Sequence, residues 1–95
     1  MTNNKPIAVD YSNAKLRVLV EEYITMQRKD FTFKGVCSFV LYRAMEEEKT
    51  VGAGLYESDQ LAPADCDRVR VVLEKIEHEG RLSVAGEDCY TKITN

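Results

Sequence analysis

The chain lacks most of the signals that mark a specialised protein. No apolar run approaches the ~20 residues that a membrane-spanning helix needs. The opening ten residues, MTNNKPIAVD, hold no apolar stretch of the kind found in a secretory leader. Both absences read as a cytoplasmic chain with no membrane partner. Cysteine is scarce and scattered: Cys37, Cys66 and Cys89 are odd in number, far apart and form no C-x-x-C pair. Neither a zinc site nor a disulfide framework is expected from that spacing, and reduced thiols in a cytosol fit it best. His78 is the only histidine, and it stands beside Glu77 and Glu79. No serine or cysteine sits in a recognisable nucleophile motif. The "GAG" at Gly52–Gly54 lacks the strand, lysine and helix of a phosphate loop. The expectation is a protein with no metal, no cofactor and no enzymatic activity.

What is present fits a small soluble domain. The chain has 95 residues, 44% of them hydrophobic and 31% charged, enough for a single domain with one core. The formal charge is −3, unevenly spread. Residues 1–45 carry seven basic and four acidic side chains, whereas residues 46–95 carry six basic and twelve acidic ones. Such asymmetry separates a face that tolerates an anion from one that repels it.

Periodicity supplies the elements. Residues 1–12 read as a flexible arm, with "PIAV" able to add an edge strand, and residues 13–95 as the domain. Ser12 or Asp10 can cap a first helix over about 13–28, with Leu16, Leu19, Val20, Tyr23, Ile24 and Gln27 at helical spacing. Phe31 and Phe33 alternate around Thr32, which suits a short strand. A second helix over 34–48 lays Val36, Cys37, Val40, Leu41 and Ala44 along one stripe. Phe39 and Tyr42 fall on another side, so this helix is apolar around more than half its girth. Those two residues are candidates for self-association. Residues 49–62 form a linker broken by Gly52 and Gly54. Pro63 suits the first turn of a third helix, which carries Val69, Val72, Leu73 and Ile76 on one stripe and stops at Gly80. Leu82 and Val84, then Thr91 and Ile93, alternate on either side of "AGED", which reads as a hairpin.

The order helix, short strand, helix, helix, hairpin resembles the winged helix-turn-helix family over roughly residues 13–93. The most specific stretch is "VRVVLEKIEHEGRLSVAGEDCYTKI", an apolar-periodic helix followed by two strands with Tyr90 in the returning one. The resemblance implies an α+β, winged-helix-like fold of three helices with a C-terminal β-hairpin wing. In such folds a small strand after the first helix pairs with the wing. The resemblance also implies a DNA-binding or protein-docking role, since the fold hosts both. Two features stand apart from the pattern. The linker over 49–62 is far longer than the tight turn between the second and third helices of that family. The third helix also carries Asp65, Asp67, Glu74, Glu77 and Glu79 against Arg68, Arg70 and Lys75, and acids on a reading helix oppose phosphate.

The first expectation is therefore a small DNA-binding protein, a transcriptional regulator that dimerises through its second helix. Arg68 and Arg70 are its candidates for base contact, Lys34, Arg28 and Lys29 for phosphate, and Lys92 for contact from the wing. The alternative is a winged-helix interaction module that binds a protein partner and no nucleic acid. A generic α+β domain is the third reading, motivated by the long linker.

Overall fold

The computed structural model describes residues 6–51 and 60–93. The chain is α+β, with three helices and small antiparallel sheets. Strand β1 (Ala8–Val9) leads into helix α1 (Asn13–Met26), strand β2 (Asp30–Thr32), helix α2 (Phe33–Glu46) and strand β3 (Thr50–Val51). Helix α3 (Pro63–His78) and strands β4 (Leu82–Gly86) and β5 (Cys89–Lys92) follow.

Local chemistry sets the boundaries. The Ser12 hydroxyl accepts the Lys15 N–H at 3.1 Å and starts α1, satisfying one of the orphan donors of a first turn. Thr32 does the same for α2, accepting the Gly35 N–H at 3.0 Å. No side chain caps α3; Pro63 stands at its start instead, needing no partner for a missing N–H. Gly80 ends it with φ of 81°, a left-handed conformation that glycine adopts without strain. Helix α1 closes at Met26, so Arg28 and Lys29 fall in the turn to β2 rather than on the helix.

The core is built from one stripe of each helix. Leu16, Leu19, Val20 and Ile24 meet Val36, Val40, Leu41 and Ala44, with Val69, Val72, Leu73 and Ile76 from α3. Sheet residues Phe31, Leu82 and Tyr90 close one end. The three-stranded sheet has order β2–β5–β4 and is antiparallel throughout. Phe31 lies opposite Tyr90 in register, and their rings stack at 5.6 Å. Tyr23 of α1 meets Phe31 edge-on at 5.9 Å. Parity along β5 differs from the alternation expected of Thr91 and Ile93. Tyr90 is the buried residue, whereas Ile93 is 43% exposed, because the stacked Phe31 draws Tyr90 to the core face. Val84, opposite Tyr90 in register, stays exposed beside an irregularity between Val84 and Gly86.

Residues 7–9 are tied to the body. Strand β1 pairs with β3, Ala8 opposite Val51 and Val9 opposite Thr50. On its other side Ile7 bridges Leu61 in parallel, donating its N–H to the Gln60 carbonyl at 2.8 Å and accepting from Ala62 at 2.9 Å. The segment that leaves α2 and the one that enters α3 are thus held by the same short strand. The "GAG" motif and the cap residues Ser58 and Asp59 lie outside the described residues. Asp65, which the sequence counts among the acids that a reading helix would turn toward phosphate, is 5% exposed. Its Oδ2 accepts the buried Val9 N–H at 3.0 Å.

Candidate functional site

The six cations singled out in the sequence fall in separate places. Arg68, in the second turn of α3, turns inward. It donates to Asp65 Oδ1 at 2.8 Å, to Asn13 Oδ1 at 3.0 Å and, at short range, to the Tyr11 carbonyl. Each of its three guanidinium nitrogens thereby has a partner, in α1, in α3 and in the chain before α1. Arg70, two residues on and so more than half a turn around the helix, lies over the Phe33 ring at 4.0 Å, with Nη1 3.2 Å from Asp88 Oδ1. That contact ties α3 to the turn between β4 and β5. Lys34 sits exposed at the start of α2. Arg28, Lys29 and Lys92 share one corner: the Lys92 N–H donates to the Lys29 carbonyl at 2.9 Å, and Lys92 Nζ donates to the Gln27 carbonyl at 3.0 Å.

The outward face of α3 is therefore mixed, with Lys75 and His78 exposed beside acids and apolar side chains. Ala64, Asp67, Val71 and Glu74 follow one another at helical spacing and are all exposed. Glu87 and Asp88, in the turn after β4, add two further exposed carboxylates. The two candidates for self-association also part company. Phe39 packs on Tyr23 at 5.3 Å, with the Arg43 guanidinium 5.2 Å above it. Tyr42 alone projects, 64% exposed.

A further concavity lies elsewhere, between α1 and α3. The two helices meet through Leu16, Leu19 and Val20 against Val69, Val72 and Leu73. Their outer shoulders carry shorter side chains, and a groove of about 700 Å³ opens between them. Its floor is Ala14, Val18, Val71 and Val72, and its rims carry Arg17, Glu21, Arg68 and Lys75. Val18 is 54% and Val71 48% exposed, unusual for valines that face each other across two helices.

Ion pairs fix one end of this groove. Arg17 reaches Glu79 Oε1 at 2.7 Å and Glu21 at 3.4 Å, and Arg81 pairs closely with Glu21. The Arg81 hydrogen bond holds the Glu21 carboxyl below its ordinary range, with burial opposing it. The Arg17 hydrogen bond does the same for Glu79. Lys75, by contrast, has no ion-pair partner among the described residues. Neither valine was marked as functional in the sequence, since each stands off its helix's core stripe. The available signal was that each helix carries a spare apolar residue on the same flank.

Among the described residues no group of three histidine, cysteine or acidic side chains is arranged to hold a metal ion. No described helix is long and apolar enough to cross a membrane. No family model, curated protein or solved structure matches this chain.

Proposed function

We propose that the chain is a winged-helix-like protein-docking module that binds no nucleic acid, and that the α1–α3 groove is its docking surface. The element order and the pairing of β2 with β5 support the winged-helix part of the reading, with β4 and β5 as the wing. The observation that carries the functional part is the pairing of exposed Val18 and Val71 on the groove floor. Alongside it, the arginines expected to read bases are bonded within the molecule. Apolar contact area drives docking, and a groove between two helices suits an amphipathic helix laid into it. The rims carry Arg17, Arg68 and Lys75 with Glu21; Arg17 and Arg68 are ion-paired within the molecule, and Lys75 is the rim cation with no ion-pair partner among the described residues. The occupant that complements them is a partner-protein helix with an apolar stripe flanked by acids.

The test uses a synthetic helical peptide with a leucine stripe and flanking glutamates, titrated into isotopically labelled protein. Amide shifts are expected over residues 13–21 and 68–75, and V18K and V71K should each abolish them. Duplex DNA at low salt should shift nothing. Peptide shifts confined to other surfaces, or micromolar duplex binding that weakens steeply with salt, overturn the reading.

A second reading keeps the DNA-binding regulator and has one observation in its favour. Arg28, Lys29 and Lys92 stand together on one corner, and such a cluster can neutralise phosphates. In that reading the contact comes from the α1–β2 turn and the wing, and exposed Tyr42 is left for homodimer formation. Replacing the three cations together would then remove duplex binding and leave the peptide titration unchanged.

A further inference from the structure

Two of the three cysteines, 29 positions apart in sequence, meet in the fold. Cys37 lies in the second turn of α2 and Cys66 in the first turn of α3. Both line a cavity of about 300 Å³, together with Phe33, Lys34, Ser38 and Leu61. The Cys66 thiol is half-buried and donates to the Leu61 carbonyl at 3.5 Å. Cys37 is 8% exposed, and burial pushes its thiol up to about 12, the adjacent Cys66 thiol adding to the rise. Both are free thiols.

We propose that Cys37 and Cys66 are a redox pair that closes into a disulfide linking α2 to α3 when the protein meets a small-molecule disulfide such as oxidised glutathione. Cys66, the more accessible of the two, is the attacking group. Its thiolate takes one sulfur of the small disulfide and releases the other half as a thiol, which carries away the Cys66 proton. The cavity gives the mixed disulfide room, and Lys34 on its lining offers a cation to a carboxylate-bearing thiol such as glutathione. Cys37 then loses its proton and attacks the Cys66 sulfur, and the second small thiol leaves with that proton. Two protein thiols become one disulfide, one small disulfide becomes two thiols, and two electrons pass to the small molecule. Because only the thiolate attacks, the buried Cys37 makes ring closure the slow step.

The experiment incubates the folded protein with oxidised glutathione and follows intact mass and a peptide map. The expected product has lost two hydrogens, retains no adduct, links Cys37 to Cys66 and leaves Cys89 free. Its formation should quicken as pH rises from neutrality to about 9, as the Cys37 thiolate fraction grows. C37A should trap a single glutathione adduct on Cys66, and C66A should give no crosslink. In urea, where proximity is lost, the preference for this pair over Cys66–Cys89 should disappear. Three results overturn the proposal. They are a wild-type protein that stays reduced, one that keeps a stable adduct without closing, or one whose disulfide includes Cys89 in the folded state.

Discussion

Replacing Asp65 by alanine should destabilise the domain by about 2–4 kcal/mol, and the reason is visible atom by atom. The carboxylate is 5% exposed and serves two donors from opposite sides, the Val9 N–H at 3.0 Å and Arg68 at 2.8 Å. Val9 is itself buried, so its amide would lose its partner with little access to water, an unmade bond of roughly 1–3 kcal/mol. Arg68 keeps Asn13 and the Tyr11 carbonyl and is partly exposed, so its share is smaller, at most about 1 kcal/mol. Removing an acid from the first turn of α3 adds a few tenths more. Asparagine retains an acceptor for Val9 but not the charge, and D65N should cost roughly half as much. Urea denaturation of the three proteins measures the differences, and hydrogen exchange at the Val9 amide reports the local event. A D65A protein within about 0.5 kcal/mol of the parent, with the Val9 amide still protected, would refute the argument.

Other expectations are open to simple measurement. The carboxyls of Glu21 and Glu79 are held below their ordinary value of 4.5 by Arg81 and Arg17. Their contribution to stability is full above that value and is lost as pH falls through the depressed folded values. The urea midpoint should therefore drop on acidification below about pH 4.5, and drop less in an E21Q/E79Q double variant. A Cβ at Gly35 would run into the hydroxyl of Tyr23, whose ring is wedged against Phe31 and Phe39. G35A should thus lose stability despite a gain of up to ~1 kcal/mol in helix propensity, and a more stable G35A in thermal melts would contradict the packing. V71K replaces a valine that is 48% exposed and should change stability by less than about 1 kcal/mol. A larger loss would place Val71 in the core rather than on a docking surface.

The helices were legible because their burial is local and periodic. All five stripe residues of α2, from Val36 to Ala44, and all four of α3, from Val69 to Ile76, are buried. The choice between Asp10 and Ser12 as a cap needed only geometry. What the sequence hid depends on contacts distant along the chain. The burial of Asp65 was hidden because the amide it accepts from, Val9, lies 56 residues upstream. Arg68 and Arg70 looked available because nothing local shows that Asn13, Asp88 and Phe33 occupy them. The groove was hidden for a related reason: Val18 and Val71 are single off-stripe valines, and only the pairing of α1 with α3 sets them face to face. Cys37 and Cys66 likewise share no motif and meet only once α2 and α3 are packed.

Strand β1 has a bearing on how this chain can be altered. One side of a few residues holds Thr50–Val51, and the other holds Leu61. Both flanks of residues 52–59 are thus anchored on one strand. Extra length inserted at 52–59 would then meet only the slow, logarithmic rise of closure entropy, about 0.6 kcal/mol for each doubling. A reporter domain or an affinity tag could be housed at that position. The same clamp suggests that fragments 1–55 and 56–95, produced separately, would reassemble, because the first brings the strand on which the second must dock.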